Sequence, residues 1–343
     1  MKIDVFNHIF PKRFFDEFIN IPSGPPDIGK RVRNIPSIVD LEARFRIMDE
    51  FGDFCQIISL PMPPIESLGS PERTPLLARI ANDGMAELVR LYPDRFRGFV
   101  ASLPLNNSAE AQKESERAIT HLGAVGVQVF TNVSGQPLDS ADLLPLMEDL
   151  ARRDVVVFLH PARTADFSDY LSEQQSKYEI WWTLGWPYET SAAMARLVFS
   201  GMLDRWPEWR VITHHMGAMI PFFEGRIGYG WDQLGSRTSS VDYAPLVSSM
   251  RKRPIDYFRM FYADTALFGA AAATRCGLDF FGVDHVVFAS DLPFEPSPGL
   301  YIRETIRAIE SLDLSAAQKE QIYRGNAERL LKLSTAAGQS AST

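Results

Sequence analysis

The sequence predicts a single domain of the α/β class, with eight parallel strands closed into a (β/α)8 TIM barrel. Eight short apolar runs alternate with segments of helical periodicity, from residue 2 to residue 291. This number of runs and the chain length of 343 residues both match the fold. A doubly wound open sheet is the alternative, but the chain lacks the glycine-rich loop after the first strand that would favour it.

The eight runs are predicted strands because they are short and rich in β-branched, aromatic and aliphatic residues. Runs that are apolar along their length suit a parallel sheet, whose strands are covered on both faces. In chain order they are residues 2–6, 54–60, 96–103, 125–130, 155–160, 210–214, 259–264 and 285–291.

The segments between the strands carry apolar residues at helical spacing, most clearly over residues 74–92. Asp40 is a suitable N-cap for the helix that follows it, and Pro187 suits the first position of a later helix. The other predicted helices are residues 11–18, 108–122, 140–152, 187–203, a segment after Pro221, residues 268–277 and a last helix near 326–333.

Three segments fit neither pattern and are predicted to be irregular insertions. They are residues 20–40, rich in Pro, Gly and Ser, residues 162–186, which contain three tryptophans, and residues 232–253. Loops on a rigid barrel usually shape its pocket, so we expect these three to do so here. We expect one domain over residues 1–333 and a disordered tail over residues 334–343, which are rich in Ser, Thr and Ala.

The composition argues against several kinds of partner. The net charge is −8 without a basic run, which speaks against nucleic acid and anionic membranes but not against a small anionic ligand. No apolar stretch reaches membrane-spanning length, and the N-terminus shows no signal-peptide pattern. The two cysteines, Cys55 and Cys276, lie in apolar contexts typical of reduced core residues. We therefore expect a cytoplasmic protein.

Polar residues that could bind a metal end four of the predicted strands. They are His8, His160, the adjacent His214 and His215, and Asp291. Because the C-terminal ends of barrel strands meet at one face, these side chains are expected to converge. Histidine is the commonest protein ligand of transition metals, and aspartate complements it for zinc, manganese or iron. The pattern therefore predicts a metal-dependent active site.

Each of these residues, taken alone, also has a structural interpretation. A single histidine at a strand end is more often a hydrogen-bonded core or rim residue, and Asp264 or Asp291 could cap a turn. Four of the six histidines fall at predicted strand ends, which makes a shared role the better explanation. His121 ends a helix, where a cation suits the dipole, and His285 begins a strand, so neither is assigned to the site.

Several motifs, in this order, resemble the amidohydrolase superfamily, and most of all its "amidohydrolase 2" branch, which includes aminocarboxymuconate-semialdehyde decarboxylase. The resemblance covers residues 1–333 and rests on the motifs Ile3-Asp-Val-Phe-Asn-His8, Leu159-His160-Pro161, His215-Met-Gly-Ala-Met-Ile-Pro-Phe-Phe-Glu-Gly-Arg226 and Ser290-Asp291-Leu-Pro. It implies a distorted barrel with one divalent metal ion, usually zinc and sometimes manganese. It also implies cleavage of a C–C bond to release CO2 from an aromatic or muconate-like acid, although some members hydrolyse or hydrate.

The resemblance further implies roles for individual residues. The metal ligands of such decarboxylases match His8, His160 and Asp291. A catalytic histidine, the general acid or base, matches His215, and Asp291 is counted with it as catalytic. Asp264 is kept as a possible auxiliary residue of the same site.

The resemblance also implies a binding site for a small carboxylate substrate. Trp182 matches an aromatic residue that lines the pocket, and Arg31 or Arg33 is the nearest match to a carboxylate-binding arginine. Arg226 matches an arginine that can reach the neighbouring subunit's site, so a homodimer is expected. Two alternatives stay open, because Arg226 could be an ordinary residue of a helix surface and the tryptophans of residues 162–186 could form a dimer contact.

One position departs from the family's pattern. His-x-His or Glu-x-His usually follows the first strand, whereas here Phe6 stands at the first of the two ligand positions. Phenylalanine cannot bind a metal, so three outcomes are open. The remaining ligands and water keep the metal, His214 or Asn7 compensates, or tight metal binding is lost. Neighbours on a strand tend to point to opposite sides, which speaks against compensation, and we expect a retained but weaker site.

The function expected from these observations is metal-dependent, non-oxidative decarboxylation of an aromatic or unsaturated carboxylic acid. Decarboxylation leaves a carbanion, whose charge a metal helps to disperse while His215 moves the proton. One alternative is a metal-dependent hydrolase of an ester, lactone or amide, which could use the same ligands. Another is a metal-free binding protein on the same barrel, which Phe6 would explain. Release of CO2, formation of a new carboxylate, and metal analysis distinguish the three.

Overall fold

A computed structural model describes residues 1–21 and 26–333 of the protein, and all eight predicted barrel strands are present there. In this part of the chain the strands are β1 (Lys2–His8), β2 (Phe54–Ser59), β3 (Phe96–Ser102), β4 (Gly126–Phe130), β5 (Asn132–Val133), β6 (Gln136–Pro137), β7 (Val157–His160), β8 (Val211–Thr213), β9 (Tyr262–Asp264) and β10 (Val286–Val287). The barrel strands pair in parallel and in chain order. β5 and β6 form a short antiparallel hairpin that the sequence did not predict.

Hydrogen bonds between β1 and the segment that follows β10 close the barrel. The Val5 amide donates to the Phe288 carbonyl (3.0 Å), and the His8 amide donates to the Leu292 carbonyl (2.7 Å). This segment therefore continues the last strand, although regular pairing is confined to Val286–Val287. The predicted TIM barrel is confirmed, with an irregular eighth strand.

Helices follow most of the barrel strands, and no described helix is long and apolar enough to cross a lipid bilayer. The helices of the described residues are Lys12–Phe18, Pro26–Arg33, Leu41–Asp49, Thr74–Leu91, Ser108–His121, Leu144–Arg152, Ile180–Thr183, Gly185–Phe199, Met202–Arg205, Glu224–Trp231, Ala244–Ser249, Pro254–Phe258, Ala271–Phe281, Leu300–Glu310, Ala316–Glu320 and Asn326–Leu331.

Two of these helices show how local sequence sets the element. The Asp40 carboxylate accepts hydrogen bonds from the amides of Glu42 (2.9 Å) and Ala43 (3.1 Å), so it caps the following helix as predicted. In the long helix Thr74–Leu91, the buried face is formed by residues one helical turn apart, among them Leu77, Ala81 and Met85.

The predicted insertion over residues 20–40 is not a loop throughout. Pro26–Arg33 is a helix, and Pro36–Ile38 is a turn of 3-10 helix. Ile28 and Val32 are four positions apart and both buried, so an apolar stripe outweighs the proline and glycine content from which a loop was predicted. Residues 22–25 lie outside the described part of the chain.

The other two predicted insertions also contain helices. Residues 232–253 include Ala244–Ser249, and residues 162–186 include Ile180–Thr183. Tertiary packing gives these short polar or aromatic stretches a helical backbone that their periodicity did not predict. The tail from residue 334 lies outside the described residues, so its disorder stays a prediction.

An apolar cluster fills the inside of the barrel and blocks it as a channel. It joins side chains from opposite sides of the sheet, among them Ile3, Val5, Phe6, Ile57, Val100, Phe158, Ile212 and Val287. The last helix, Asn326–Leu331, adds Ala327 and Leu330 to the same cluster. This packing leaves the polar residues at the C-terminal ends of the strands as the place where chemistry can occur.

Candidate metal centre and active site

Three histidines and one aspartate from different strands converge at the C-terminal end of the barrel. β1 ends in His8 and β7 in His160, while His214 follows β8 and Asp291 follows β10. One ring nitrogen from each of the three histidines lies within 4.8 Å of the other two. Asp291 Oδ1 lies 3.1 Å from His8 Nε2 and 3.6 Å from His214 Nε2. The structure thus brings together the three residues predicted as ligands and adds His214.

Backbone carbonyls set the orientation of two of these imidazole rings. His8 Nδ1 lies 3.1 Å from the Leu60 carbonyl oxygen, and His160 Nδ1 lies 2.7 Å from the Pro161 carbonyl oxygen. A carbonyl only accepts, so the hydrogen of each neutral ring sits on Nδ1 and the Nε2 lone pair is left available. This is the tautomer that a metal-binding histidine needs.

A buried carboxylate orients the third ring. Asp264 Oδ2 lies 2.5 Å from His214 Nδ1, while Asp264 Oδ1 accepts from the amides of His215 and Ala266 at 3.0 Å each. Asp264 is completely buried, and these bonds fix it in place. A carboxylate behind a histidine, on the side away from the metal, is a common arrangement in metal centres.

The donor set fits a divalent transition metal. His8 Nε2 and His214 Nε2 are buried and make no well-directed hydrogen bond among the described residues, although the Asp291 carboxylate lies close to both. Leaving such atoms unpaired is costly, and a ligand between them would satisfy both. An ion held at 2.0–2.2 Å by tetrahedral ligands places its donors about 3.4 Å apart. The separations of 3.1 and 3.6 Å to Asp291 are close to that value.

The charges of the site also suit a cation. Burial lowers the pKa of His8, and it lowers the pKa of His160 well below the usual value, so both rings are neutral at pH 7. Burial alone would raise the pKa of Asp291, but its contacts with the surrounding histidines hold it well below the usual range. Neutral imidazoles and an ionised carboxylate are the states that bind metal.

His214 is the exception among the buried histidines. Burial alone would lower its pKa, but the Asp264 carboxylate outweighs burial and raises it to about 9. Without a metal, the proton on His214 Nε2 therefore faces Asp291, and metal binding at this nitrogen would have to displace it.

His215 lies beside the metal donors and opens onto the cavity. The backbone turns sharply here, with positive φ at His215 (55°), Met216 (56°) and Gly217 (72°). His214 and His215 therefore place their rings on the same side, with centroids 3.7 Å apart, instead of pointing apart as extended neighbours would. His215 Nε2 lies 3.7 Å from Asp291 Oδ2, and burial lowers the His215 pKa.

A cavity of about 870 Å³ lies above these residues. His160, His215 and Asp291 line it together with aromatic side chains and two cations from the helix Pro26–Arg33: Trp181, Trp182, Trp186, Phe268, Phe294, Tyr301, Lys30 and Arg31. Flat apolar walls with a polar group at one end suit a planar, charged small molecule.

Of the residues predicted to bind substrate, Arg31 and Trp182 line this cavity. Arg31 donates to the Phe294 carbonyl at 2.8 Å, which holds its side chain at the rim, and the Trp182 indole donates to Glu179 at 2.8 Å. Arg33 is exposed and lies over the Phe18 ring, outside the cavity.

The structure does not bring two other predicted residues into the site. Arg226 is exposed on the helix Glu224–Trp231 and does not line the cavity of its own chain. Asn7 donates to the carbonyls of Asp4 (2.9 Å) and Ile57 (3.0 Å), so its amide is already engaged away from the metal donors. Asn7 therefore does not take the place of the ligand missing at position 6.

Arg44 is a supporting residue whose role the sequence did not predict. It is completely buried and donates to the His8 carbonyl (2.7 Å), to Gln56 Oε1 (2.8 Å) and to Asn7 Oδ1 (2.5 Å). Arg44 thus joins its helix to β1 and β2 directly beneath a predicted metal ligand. The sequence contained a signal for this burial, since Arg44 lies one helical turn before the apolar Met48 and therefore on the buried face of its helix.

Comparison with known proteins places the chain in a family. The family model described as Amidohydrolase matches residues 59–333. The chain belongs to this amidohydrolase family. This membership confirms the resemblance found in the sequence, and the barrel with its polar strand ends is the expected architecture.

Relatives of known activity cover nearly the whole chain. Gamma-resorcylate decarboxylase of Polaromonas sp. is 32% identical over 319 residues, 90% of each chain. The 2-amino-3-carboxymuconate-6-semialdehyde decarboxylase of Dictyostelium discoideum is 27% identical and covers 97% of this chain and 92% of its own. A crystal structure of dihydroxybenzoic acid decarboxylase from Polaromonas sp., with bound manganese and the inhibitor 2-nitroresorcinol, is 27% identical, has a TM-score of 0.78 and covers 99% of both chains.

Proposed function

We propose that this protein is a metal-dependent, non-oxidative decarboxylase of an aromatic or unsaturated carboxylic acid. The observation that carries the proposal is the buried convergence of His8, His160 and His214, whose ring nitrogens lie within 4.8 Å of one another, with Asp291 3.1 Å from His8. His160 and Asp291 open onto the aromatic cavity. The decarboxylases that match the chain over at least 90% of its length support the same reaction.

His8, His160 and Asp291 would hold one divalent metal ion. Such an ion acts as a Lewis acid on an oxygen of the substrate. The manganese in the Polaromonas structure supports manganese, while the spacing of the donors also suits zinc, so both metals are candidates.

Residues of the cavity wall would bind and orient the acid. The tryptophans give flat apolar surfaces for an aromatic or conjugated substrate, and the Arg31 guanidinium at the rim offers a fork for a carboxylate or phenolate oxygen.

His215 would supply the proton that completes the reaction. The bond between the substrate carbon and its carboxylate breaks, the electron pair stays on the carbon, and CO2 leaves. His215, which burial keeps neutral at pH 7, would first take up a proton from the bound acid or from water and then deliver it to this carbon in place of the lost carboxylate. His215 suits this task because it lines the cavity beside Asp291 and, although it could join His214 and Asp291 around an ion, it is not part of the histidine group formed by His8, His160 and His214.

The test is a product assay with the purified protein, loaded with manganese or with zinc. Carboxylated phenols labelled with ¹³C in the carboxyl group should release labelled CO2 and the matching phenol in equal amounts. Esters, lactones and amides of similar shape serve as the comparison, since the same metal centre could hydrolyse them. Hydrolysis without CO2 release, or no turnover with metal bound, would contradict the proposal.

We also propose that the protein is a cytoplasmic homodimer. Arg226 lies on a helix flanked by the exposed aromatic residues Phe222 and Tyr229, and Leu171 and Tyr178 are also exposed. Apolar residues in such number at the surface favour a partner, and a second copy would bring Arg226 to a neighbouring molecule. Light scattering of the purified protein at micromolar concentration checks the mass.

A further inference from the structure

We infer that His214 is a direct metal ligand of this protein, oriented by Asp264, and that it replaces the ligand missing at Phe6. The inference rests on the proposed metal centre and adds a residue to it. The resulting donor set contains three imidazoles and one carboxylate: His8, His160, His214 and Asp291.

The first argument is the position of the His214 Nε2 atom. It is buried, it makes no well-directed hydrogen bond in the described part of the chain, and it lies 3.6 Å from Asp291 Oδ1. The same ring belongs to the group whose nitrogens lie within 4.8 Å of those of His8 and His160. An ion placed among the other three donors would therefore have this nitrogen as its next neighbour.

The second argument is the way Asp264 holds the ring. The Asp264 carboxylate lies 2.5 Å from His214 Nδ1 and is itself held by two backbone amides. The orientation of the ring is therefore fixed, and with it the direction in which Nε2 points. A histidine that needed only structural support would not require its second nitrogen to point into a cluster of metal donors. Such a carboxylate behind a ligating histidine raises metal affinity by about 10- to 100-fold.

The third argument is that the Phe6 ring packs directly against the His214 ring beside the metal donors. The Phe6 ring stacks on His214, with centroids 3.9 Å apart and planes 12° apart. It also lies 5.6 Å from the His8 ring and 5.8 Å from the His160 ring. A ligating side chain at position 6 would have to reach the metal through the space that the stacked pair now fills, so a donor at 6 and a donor at 214 are alternatives.

Other nearby groups are less suited to be this ligand. The Asn7 side-chain amide donates hydrogen bonds to two backbone carbonyls and so points away from the metal donors. His215 could join His214 and Asp291 around an ion, but it is not part of the group formed with His8 and His160. It approaches the other oxygen of Asp291, at 3.7 Å, and opens onto the cavity, where a proton donor is needed.

The test measures metal affinity by competition with a chelator, without reference to turnover. His214→Ala should weaken binding of zinc and manganese at least about 100-fold, and Asp264→Asn should weaken it about 10- to 100-fold. His121→Ala, which removes an exposed histidine at the end of another helix, should leave affinity unchanged. Unchanged affinity in a folded His214→Ala protein would overturn the inference while leaving the metal centre in place.

A second pair of variants tests whether a metal ligand at position 6 can replace the one at position 214. Phe6→His in the wild-type background should not tighten metal binding, because His214 already supplies the donor. The same change in the His214→Ala background should restore at least part of the lost affinity. Tighter binding in the first case, with no recovery in the second, would contradict the replacement.

Spectroscopy of the wild-type protein covers the case in which His214→Ala does not fold. The X-ray absorption spectrum of the zinc-loaded protein counts imidazole ligands through their ring scattering. Three imidazoles support the inference, whereas two overturn it with the metal centre intact. A wild-type protein that binds neither zinc nor manganese overturns the inference together with the metal-dependent function on which it rests.

Discussion

Four of the six histidines of this chain share one site, and their hydrogen bonds separate them into different tasks. His8 and His160 donate from Nδ1 to backbone carbonyls, which sets their tautomer, while burial lowers their pKa values and keeps them neutral and ready to bind. His214 faces a carboxylate. His215 faces Asp291 at 3.7 Å, and its ring opens onto the cavity, so a proton that it takes up can reach a substrate.

This difference leads to a prediction for His215→Ala. The variant should lose about 10²- to 10⁴-fold in kcat, because the proton on the substrate carbon loses its donor. Its metal content should stay that of the wild type, since the ring is not among the proposed ligands. Steady-state kinetics with metal analysis of the same sample measure both. Unfolding of the variant, or loss of its metal, would show instead that His215 is structural or a ligand.

Residue types at strand ends were enough to predict which side chains meet, but not how they are arranged. His8, His160, His214, His215 and Asp291 converge as expected from a parallel barrel. The sequence could not show that His214 and His215 face the same way, because this depends on the positive φ angles that follow β8. Periodicity describes extended backbone and does not apply to a left-handed turn.

At the scale of elements, the helix Pro26–Arg33 contributes the cation at the rim of the cavity. Its residues were predicted to form a loop, yet the arginine it carries was predicted to bind substrate. The helix spacing explains why only one of its two candidate arginines faces the site. Residues two apart on a helix lie on different faces, so Arg31 reaches Phe294 while Arg33 lies over Phe18.

Arg31→Ala is therefore predicted to weaken substrate binding. KM for an aromatic acid should rise about 10- to 100-fold with a smaller change in kcat, because a charged hydrogen bond contributes about 1.5–3 kcal/mol to binding. Arg33→Ala on the same helix is the matched control and should leave KM unchanged. Equal effects of the two variants would place the carboxylate site elsewhere.

Arg44 shows how one helix supports a strand end. Arg44→Leu would remove the donor to the His8 carbonyl and to two buried side chains, Asn7 and Gln56. We expect a loss of about 3–5 kcal/mol in the free energy of unfolding, as when one partner of a buried charged network is removed. Urea unfolding measures it. Arg46→Leu is the control, since Arg46 is exposed two positions along the same helix and should change stability little.

The barrel as a whole was predictable from its eight apolar runs, and its last strand shows the limit of that approach. Residues 285–291 form an apolar run, but only Val286–Val287 pairs regularly. The following residues bond to β1, because closing the barrel brings the first and last strands together. Such a contact between distant parts of the chain has no local signal in the sequence.

The stability of the whole molecule should depend on pH when the metal is removed. The pKa of His214 is raised to about 9, so its contribution is full below the unfolded value near 6.5 and is lost as the pH rises towards 9. The pKa values of His8 and His160 are lowered, so the unfolded chain takes up protons first and stability falls below pH 6.5. The histidine contributions together therefore peak near pH 6.5. Buried Asp4, Glu66 and Glu295, whose pKa values are raised to about 7, 8 and 7, add a further loss of stability as the pH rises from about 4 to 8.

Thermal unfolding in a chelating buffer between pH 5 and 9 checks this dependence. His214→Gln should make the decline between pH 6.5 and 9 smaller, because the raised pKa of His214 then disappears, while the part that comes from buried Glu66 remains. If the variant and the wild type lose stability equally between pH 6.5 and 9, a titrating group other than His214 causes the loss.

The stacked pair of Phe6 and His214 bears on how enzymes of this kind are recognised from sequence alone. A motif search that demands a ligating residue two positions before His8 would set this chain aside as inactive. If His214 supplies the donor from across the barrel, the informative signature is a pair of positions 208 residues apart. Genome surveys that score both positions together would then retain chains in which the ligand has moved from one strand to another.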